Sequence, residues 1–297
     1  MNHRPECLPC CLRRVLYTAD RSTSDDWLRR RILGESMQEL SRVDLKATPA
    51  EVVHGVIRRA VKTLGITDPY AEEKRRWIEE GLAQEERIRA RIAASPDPLV
   101  AAIKLSIASN VLDWELRQEF GRGVKLKNLI EEVDSIALSE ENIEDFRAAI
   151  LQSQKVLFVH DSAGELLFDR LLIELLGKPR EQVISLVRSA PALAHATRDD
   201  AAAAGLEKVA VVIDPGIDCL GLPLNAVSAS LRQYYSEADL VIAKGQAAFE
   251  TLEGRESREK LGGGSSGKSV FFLLRAKCAL LAHHLGIAVG DGALERG

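Results

Sequence analysis

The sequence predicts an α/β protein, with a mostly parallel, doubly wound sheet in the second half of the chain and a helical region before it. Three observations carry this. From Lys155 onward, short apolar runs recur at Val156–His160, Val183–Val187, Val209–Ile213, Leu240–Ala243 and Val270–Leu274, each followed by a loop or helical stretch. Alternation of that kind argues parallel strands joined by crossover helices. The region before it, residues 1–150, carries apolar positions at helical spacing and no run that reads as a strand. Finally, Lys155–Arg170 (KVLFVHDSAGELLFDR) spells out one repeating unit: an apolar strand, a turn at Asp161-Ser162-Ala163-Gly164, and an amphipathic helix with Leu166, Leu167, Leu171 and Leu172 inward.

The helical part divides as follows. Cys7-Leu-Pro-Cys10-Cys11 is a C-x-x-C that supplies only two of the four ligands of a structural zinc, so metal, redox and plain thiol uses stay open. Trp27, Ile32, Leu33, Met37 and Leu40 recur at helical spacing from Ser24 to Leu45. Thr48-Pro49-Ala50-Glu51 reads as a capping box with proline at the first helical position, opening a helix through Leu64. Asp68–Ala94 reads as one long helix laced with opposite charges three or four apart. Pro96-Asp97-Pro98 breaks it before an apolar helix from Leu99 to Glu119, on which Asn110 and Asp113 share a face. A last helix covers Ser139–Gln152.

Composition sets the class. With 297 residues, 46% hydrophobic and 28% charged, the chain can build two domains, expected at 1–150 (helical, possibly in two parts) and 151–297. A net charge of -4 and a pI near 6.0, with both signs interspersed, argue against a nucleic-acid groove or a membrane-surface patch. No apolar run approaches the roughly 20 residues of a membrane span. The opening MNHRPECLPCC lacks a secretory core, so a cytoplasmic location is expected. Five scattered cysteines do not form a disulfide framework.

Chemistry is expected where parallel strands end. Asp161 follows the first strand, where a carboxylate can hold a hard cation and helix-opening N–H groups, including that of Gly164, can hold an anion; capping of the helix is the plainer role. Arg188–His195, Asp214–Gly221 and Lys244-Gly245-Gln246 follow later strands and would share that rim. Gly262–Ser269 (GGGSSGKS) matches the P-loop pattern by letter, but it follows the charged Glu253–Lys260 and precedes a strand. A plain loop is therefore expected, with Lys268 reaching an anion only if it folds over the rim.

Seven stretches in order give the chain a resemblance. They are Cys7-x-x-Cys10, ASNVLDWEL around Asn110, HDSAGELLFDR at Asp161, VRSAPALAHATRDDAAAAGL from Val187, IDPGIDCLGLPL from Ile213, ADLVIAKGQAAFETL from Ala238, and FLLRAKC ending at Cys278. Together they resemble the damage-control phosphatases, metal-dependent proteins also described as acidic-residue methyltransferase-like and once a domain of unknown function. The resemblance spans essentially the whole chain and implies a helical region followed by a Rossmann-like domain that holds one divalent cation.

In that family's pattern the first strand ends in Asp-Asn-Ala-Gly-Glu, whose Asp and Asn contact the metal. Here they are Asp161 and Ser162. A further ligand is the Asp of a P-x-L-N-D-A-T segment, which in Pro191–Thr197 is His195, preceded by Ala194 in place of Asn. The resemblance therefore implies a metal site of Asp161, Ser162 and His195 with two altered positions. Imidazole in place of carboxylate removes a negative charge and shifts preference from Mg²⁺ or Mn²⁺ towards Zn²⁺, Fe²⁺, Co²⁺ or Ni²⁺. Asn110 and Asp113 match the family's Gly-Asn-x-x-Asp, and Lys244 matches its phosphate-binding rim lysine, with Gly245 letting the backbone approach. Asp113 or Asp218 would orient the attacking water. Glu250 and Lys277 fall on family positions expected to form salt bridges.

The implied function is metal-dependent hydrolysis of a small phosphorylated metabolite. Two alternatives are a member that has lost phosphatase chemistry and binds a ligand or partner, and one that uses a softer metal on a specialised metabolite. Methyl transfer is disfavoured because the DSAG turn lacks a glycine-rich cofactor loop.

Overall fold

The computed structural model describes residues 1–112, 126–214, 216, 218–254 and 268–297. Its helices are α1 (Cys7–Ser22), α2 (Asp26–Leu40), α3 (Pro49–Leu64), α4 (Ala71–Ala83), α5 (Glu85–Ala93), α6 (Pro98–Ser109), α7 (Leu126–Glu132) and α8 (Glu140–Gln152), followed after the first strand by α9 (Leu166–Leu175), α10 (Arg198–Ala203), α11 (Ala229–Glu237), α12 (Gly245–Leu252) and α13 (Ala279–Leu285). The strands are β1 (Val156–Val159), β2 (Val183–Leu186), β3 (Val211–Ile213), β4 (Leu240–Lys244), β5 (Ser269–Arg275) and β6 (Gly292–Arg296). They form one sheet in the order β3-β2-β1-β4-β5-β6, parallel except for β6. All strands among the described residues lie after residue 155.

Local chemistry explains the elements. Thr48 and Glu51 form the capping box, Pro49 opens α3, and Gly65 closes it in the left-handed conformation that glycine adopts without a Cβ penalty. Asp25 caps α2 by accepting from Trp27 N–H and Leu28 N–H. The strand β1 is buried on both faces, which is why it reads as VLFV without alternation.

Three expectations are corrected. The stretch 68–94 is two helices, because Gln84 leaves the helical conformation. The break lets α4 pack on the turn after β1 while α5 packs on α6. In α2 only part of the apolar set faces inward: Ile32 and Leu40 are buried, whereas Trp27 is 69% and Met37 54% exposed. The helix α1 and the strand β6 were not anticipated. The signal for α1 lay in Leu8, Cys11, Leu12, Val15 and Ala19, which line one helical face. As a five-residue antiparallel edge strand, β6 carried no crossover rhythm to announce it.

Packing joins the two halves. Ile103, Leu105 and Ile107 of α6 share a continuous core with Phe158 of β1, Phe168 of α9 and Phe271 of β5. Phe146 of α8 meets Phe271 edge-on, with ring centroids 5.0 Å apart. Lys74 of α4 is buried between Asp68 and Asp200, each 2.8 Å away, which ties α4 to α10. Burial alone would push the Lys74 ammonium down, but the carboxylates, Asp200 first, outweigh it and hold it above its ordinary value.

Candidate active site

The strand order reverses direction between β1 and β4, and the crevice beyond the carboxyl ends of such a pair is where open α/β sheets bind ligands. Asp161 leaves β1 there and Gly245 leaves β4 beside it. Gly245 has φ +78°, and a Cβ on it would lie 1.8 Å from Asp161 Oδ2. Only glycine allows the two backbones this proximity.

Backbone pairing brings His195 to the same point. Ala163 N–H donates to Ala194 O (2.9 Å) and Ala196 N–H to Asp161 O (2.9 Å), so the loop after β2 is zipped onto the turn after β1. His195 Nδ1 then lies 3.2 Å from Asp161 Oδ1. Leu193 enters this loop at φ 52°, a left-handed conformation that costs a non-glycine residue about 1–3 kcal/mol and clusters at functional sites.

The second carboxylate oxygen is held from the helical side. Asn110, fully buried at the end of α6, donates from Nδ2 to Asp161 Oδ2 and to Glu165 Oε1, both 2.9 Å. Its Oδ1 accepts from Arg275 N–H at 3.3 Å. Lys277 Nζ stands 3.8 Å from Asp161 Oδ2. A cleft of about 680 Å³ opens over Asp161, His195 and Lys277 and is lined on its far side by Arg13, Arg14 and Tyr17 of α1.

Beneath the cleft lies a buried ionic network. Lys244 Nζ donates to Ser106 O (2.7 Å), Ser106 Oγ (2.8 Å) and Asp169 Oδ1 (2.8 Å), and is 2.8 Å from Glu165 Oε2. His160 bridges Asp169 Oδ2 (2.9 Å) and Ser185 Oγ (3.1 Å). Burial would push Lys244 down, but Asp169 and Glu165 outweigh it and raise its pKa. Burial would raise Asp169, but Lys244 and His160 hold it below the usual carboxylate range. Glu165 is pushed up by burial, which Lys244 only partly offsets. Arg188, also fully buried, donates to Gly221 O (2.6 Å) and tethers the loops after β2 and β3 to each other.

Of the residues expected at the site, Asp161, His195, Asn110 and Gly245 come together. Ser162 is adjacent, but its hydroxyl donates to Glu165 Oε1 at 2.8 Å within a capping box. Lys244 is not on the rim, because α6 covers it and four oxygens surround its ammonium. Gly164 packs against Trp77, whose Cβ would be 3.1 Å from a Cβ placed there, so its small size serves helix packing. Asp218 turns out towards α3, 3.6 Å from His54 Nε2, and does not line the cleft. Asp113 lies outside the described residues. Glu250 borders the cleft and accepts from Gln246 Nε2 at 2.6 Å. Lys277, expected on a family position to form a salt bridge, faces Asp161, but its place on the cleft wall, like that of α1, was not read from the sequence.

Residues 262–267 of the P-loop-like segment also lie outside the described residues. Lys268 precedes β5 and so sits at the amino ends of the strands, opposite Asp161, with its ammonium 4.4 Å from the Tyr235 ring centroid. Lys268→Ala is therefore expected to leave ATP affinity unchanged in a calorimetric titration. Micromolar binding that depends on Lys268 would contradict this.

Asp161 and His195 are spaced to share a cation. Two ligands at about 2.1 Å from one ion, at right angles, are about 3.0 Å apart. The 3.2 Å between Asp161 Oδ1 and His195 Nδ1 fits such a pair. Among the described residues no group of three or more His, Cys, Asp or Glu forms a fuller set, and Asn110 turns its amide N–H groups, not its oxygen, towards Asp161.

Fold and site thus define an α/β protein of Rossmann-type strand order whose cleft is centred on a carboxylate–imidazole pair at the sheet's switch point. The Damage-control phosphatase ARMT1-like domain matches residues 3–292, and the chain belongs to that family. A damage-control phosphatase of Archaeoglobus fulgidus is 30% identical over 98% of both chains. Another, from Pyrococcus horikoshii, is 30% identical over 96% of this chain and 94% of its own. The crystal structure of a DUF89 family protein from Pyrococcus horikoshii superposes with a TM-score of 0.83 at 29% identity, covering 100% of this chain and 99% of the other. No helix among the described residues is long and apolar enough to cross a membrane.

Proposed function

We propose that the protein is a metal-dependent hydrolase of a small phosphorylated metabolite, with Asp161 and His195 holding one divalent cation. The observation that carries this is the direct approach of Asp161 to both His195 and Lys277 at the opening of the cleft. A cation bound there supplies polarisation of the phosphoryl group and acidification of a bound water. Asn110 orients the Asp161 carboxylate by occupying Oδ2, which leaves Oδ1 turned to His195. Lys277, rather than the enclosed Lys244, neutralises phosphate oxygens, since its ammonium borders the cleft. Arg13 and Arg14 add positive potential on the far wall and favour an anionic ligand. Lys244 serves by holding Glu165 and Asp169 in place below. Family membership supports a phosphatase-like reaction.

The imidazole ligand predicts a softer metal preference than a carboxylate would confer. His195→Asp is expected to shift affinity towards Mn²⁺ or Mg²⁺, and His195→Ala to weaken binding roughly 10-fold or more. Equilibrium dialysis of the three proteins against divalent ions, paired with hydrolysis of a generic phosphate ester, is the test. Identical ion and affinity in all three, or no ion in any, removes His195 from the metal site. Bound iron or nickel without ester hydrolysis favours the softer-metal alternative.

A further inference from the structure

Three partly accessible thiols from opposite ends of the chain line the cleft, beside the buried Cys11. Cys7 and Cys10, one turn apart at the start of α1, share it with Cys278, which follows Lys277 and caps α13. None of them is in a disulfide, and all three are partly accessible, whereas the adjacent Cys11 is fully buried. Cys7 Sγ accepts from Arg4 N–H at 3.4 Å. Cys278 Sγ accepts from Leu281 N–H at 3.5 Å and lies 3.7 Å from Gln246 Nε2.

We propose that Cys7 and Cys278 are an oxidisable pair, and that their disulfide ties α1 to the segment carrying Lys277 across the cleft. The placement of both thiols on one cleft, 271 positions apart in sequence, carries this. Burial pushes the Cys7 thiol up, and Glu250, then Cys278 and Cys10, add to the rise. A raised pKa keeps Cys7 mostly protonated and slows its attack on an oxidant.

With a hydroperoxide the step balances. One thiolate attacks the peroxide oxygen, breaking the O–O bond, and becomes a sulfenic acid as the alcohol departs. The second thiol displaces water from that sulfur and forms the S–S bond. Two electrons pass from the thiols to the peroxide. An external dithiol reverses the bridge by thiol–disulfide exchange: its first thiolate attacks one sulfur, its second displaces the mixed disulfide, and the dithiol leaves as its cyclic disulfide while both cysteines return as thiols. Because Cys278 adjoins Lys277 in the chain, the bridge would restrain the ammonium that faces Asp161.

The test is oxidation of the full-length protein with hydrogen peroxide, alkylation of remaining thiols, and tryptic mapping without reduction. Residues 1–13 and 278–296 are expected as one linked species, two hydrogens lighter than the sum, with fragmentation locating the bridge at Cys7. Closing so long a loop is expected to raise the thermal midpoint by roughly 5 °C or more, reversibly with dithiothreitol. Cys10→Ser should retain the linked species, and Cys278→Ser should lose both it and the midpoint shift. A Cys7–Cys10 loop, or sulfinic acids without a bridge, overturns the proposal. Neither readout depends on phosphate-ester turnover, so the proposed reaction can fail while this pair stands.

Discussion

Lys244→Met is expected to destabilise the protein by about 3–5 kcal/mol, the cost of leaving buried carboxylates without their cation. Lys244, Glu165 and Asp169 have fully buried side chains, so the carboxylates have no exposed surface through which bulk solvent could replace the ammonium. The loss should depend on pH with a definite sign. Without Lys244, burial lifts the folded-state pKa of Glu165 and Asp169 above their unfolded values, so the folded state binds more protons. Stability of the variant is then greatest below the ordinary carboxylate range and falls as pH rises through neutrality, widening the gap from wild type. Adding Asp169→Asn should recover part of the loss by removing one unpaired charge. Urea midpoints between pH 5 and 8 measure this. A deficit under about 1 kcal/mol that is flat with pH would show that the network is not held by charge.

Gly245→Ala is expected to be nearly as damaging, and locally so. A methyl group cannot share space with Asp161 Oδ2 at 1.8 Å, and φ +78° is unfavourable for alanine. Relief requires Asp161 to swing away from Asn110 and His195. Misplacement of a reacting group by about 1 Å costs on the order of 100-fold in rate, so phosphate-ester turnover should fall by that much or more. Metal affinity should fall with it. Stability offers an independent reading: in an Asp161→Ala background the clashes with Oδ2 and Cγ disappear, only Asp161 Cβ at 2.9 Å remains, and Gly245→Ala should cost its backbone strain of about 1–3 kcal/mol plus the small shift that relieves this contact. A double-mutant cycle measures the coupling, and strict additivity would mean that the two residues do not press on each other.

Much of this protein was readable before folding. Five of the six strands among the described residues, the capping box at Thr48, the break at Pro98 and the position of Asp161 were evident, because each rests on local chemistry or on the period of apolar residues. The seven family-like stretches likewise pointed to the fold that the matched domain and the superposed structure share. What sequence could not decide was which polar groups face the cleft. Lys244 and Lys277 both follow or end strands of one sheet, and only the placement of α6 over β5 and β6, with Ser106 reaching Lys244, makes the first a buried counter-ion and leaves the second beside Asp161. Asp218 and His195 both sit in loops beyond strands, yet backbone pairing with Ala163 and Asp161 draws one loop inward while the other carboxylate turns to α3. The helix α1, far away in sequence, completes the cleft for the same reason: burial and contact are set by the packing of distant elements, whereas strand, turn and cap are set by neighbours along the chain.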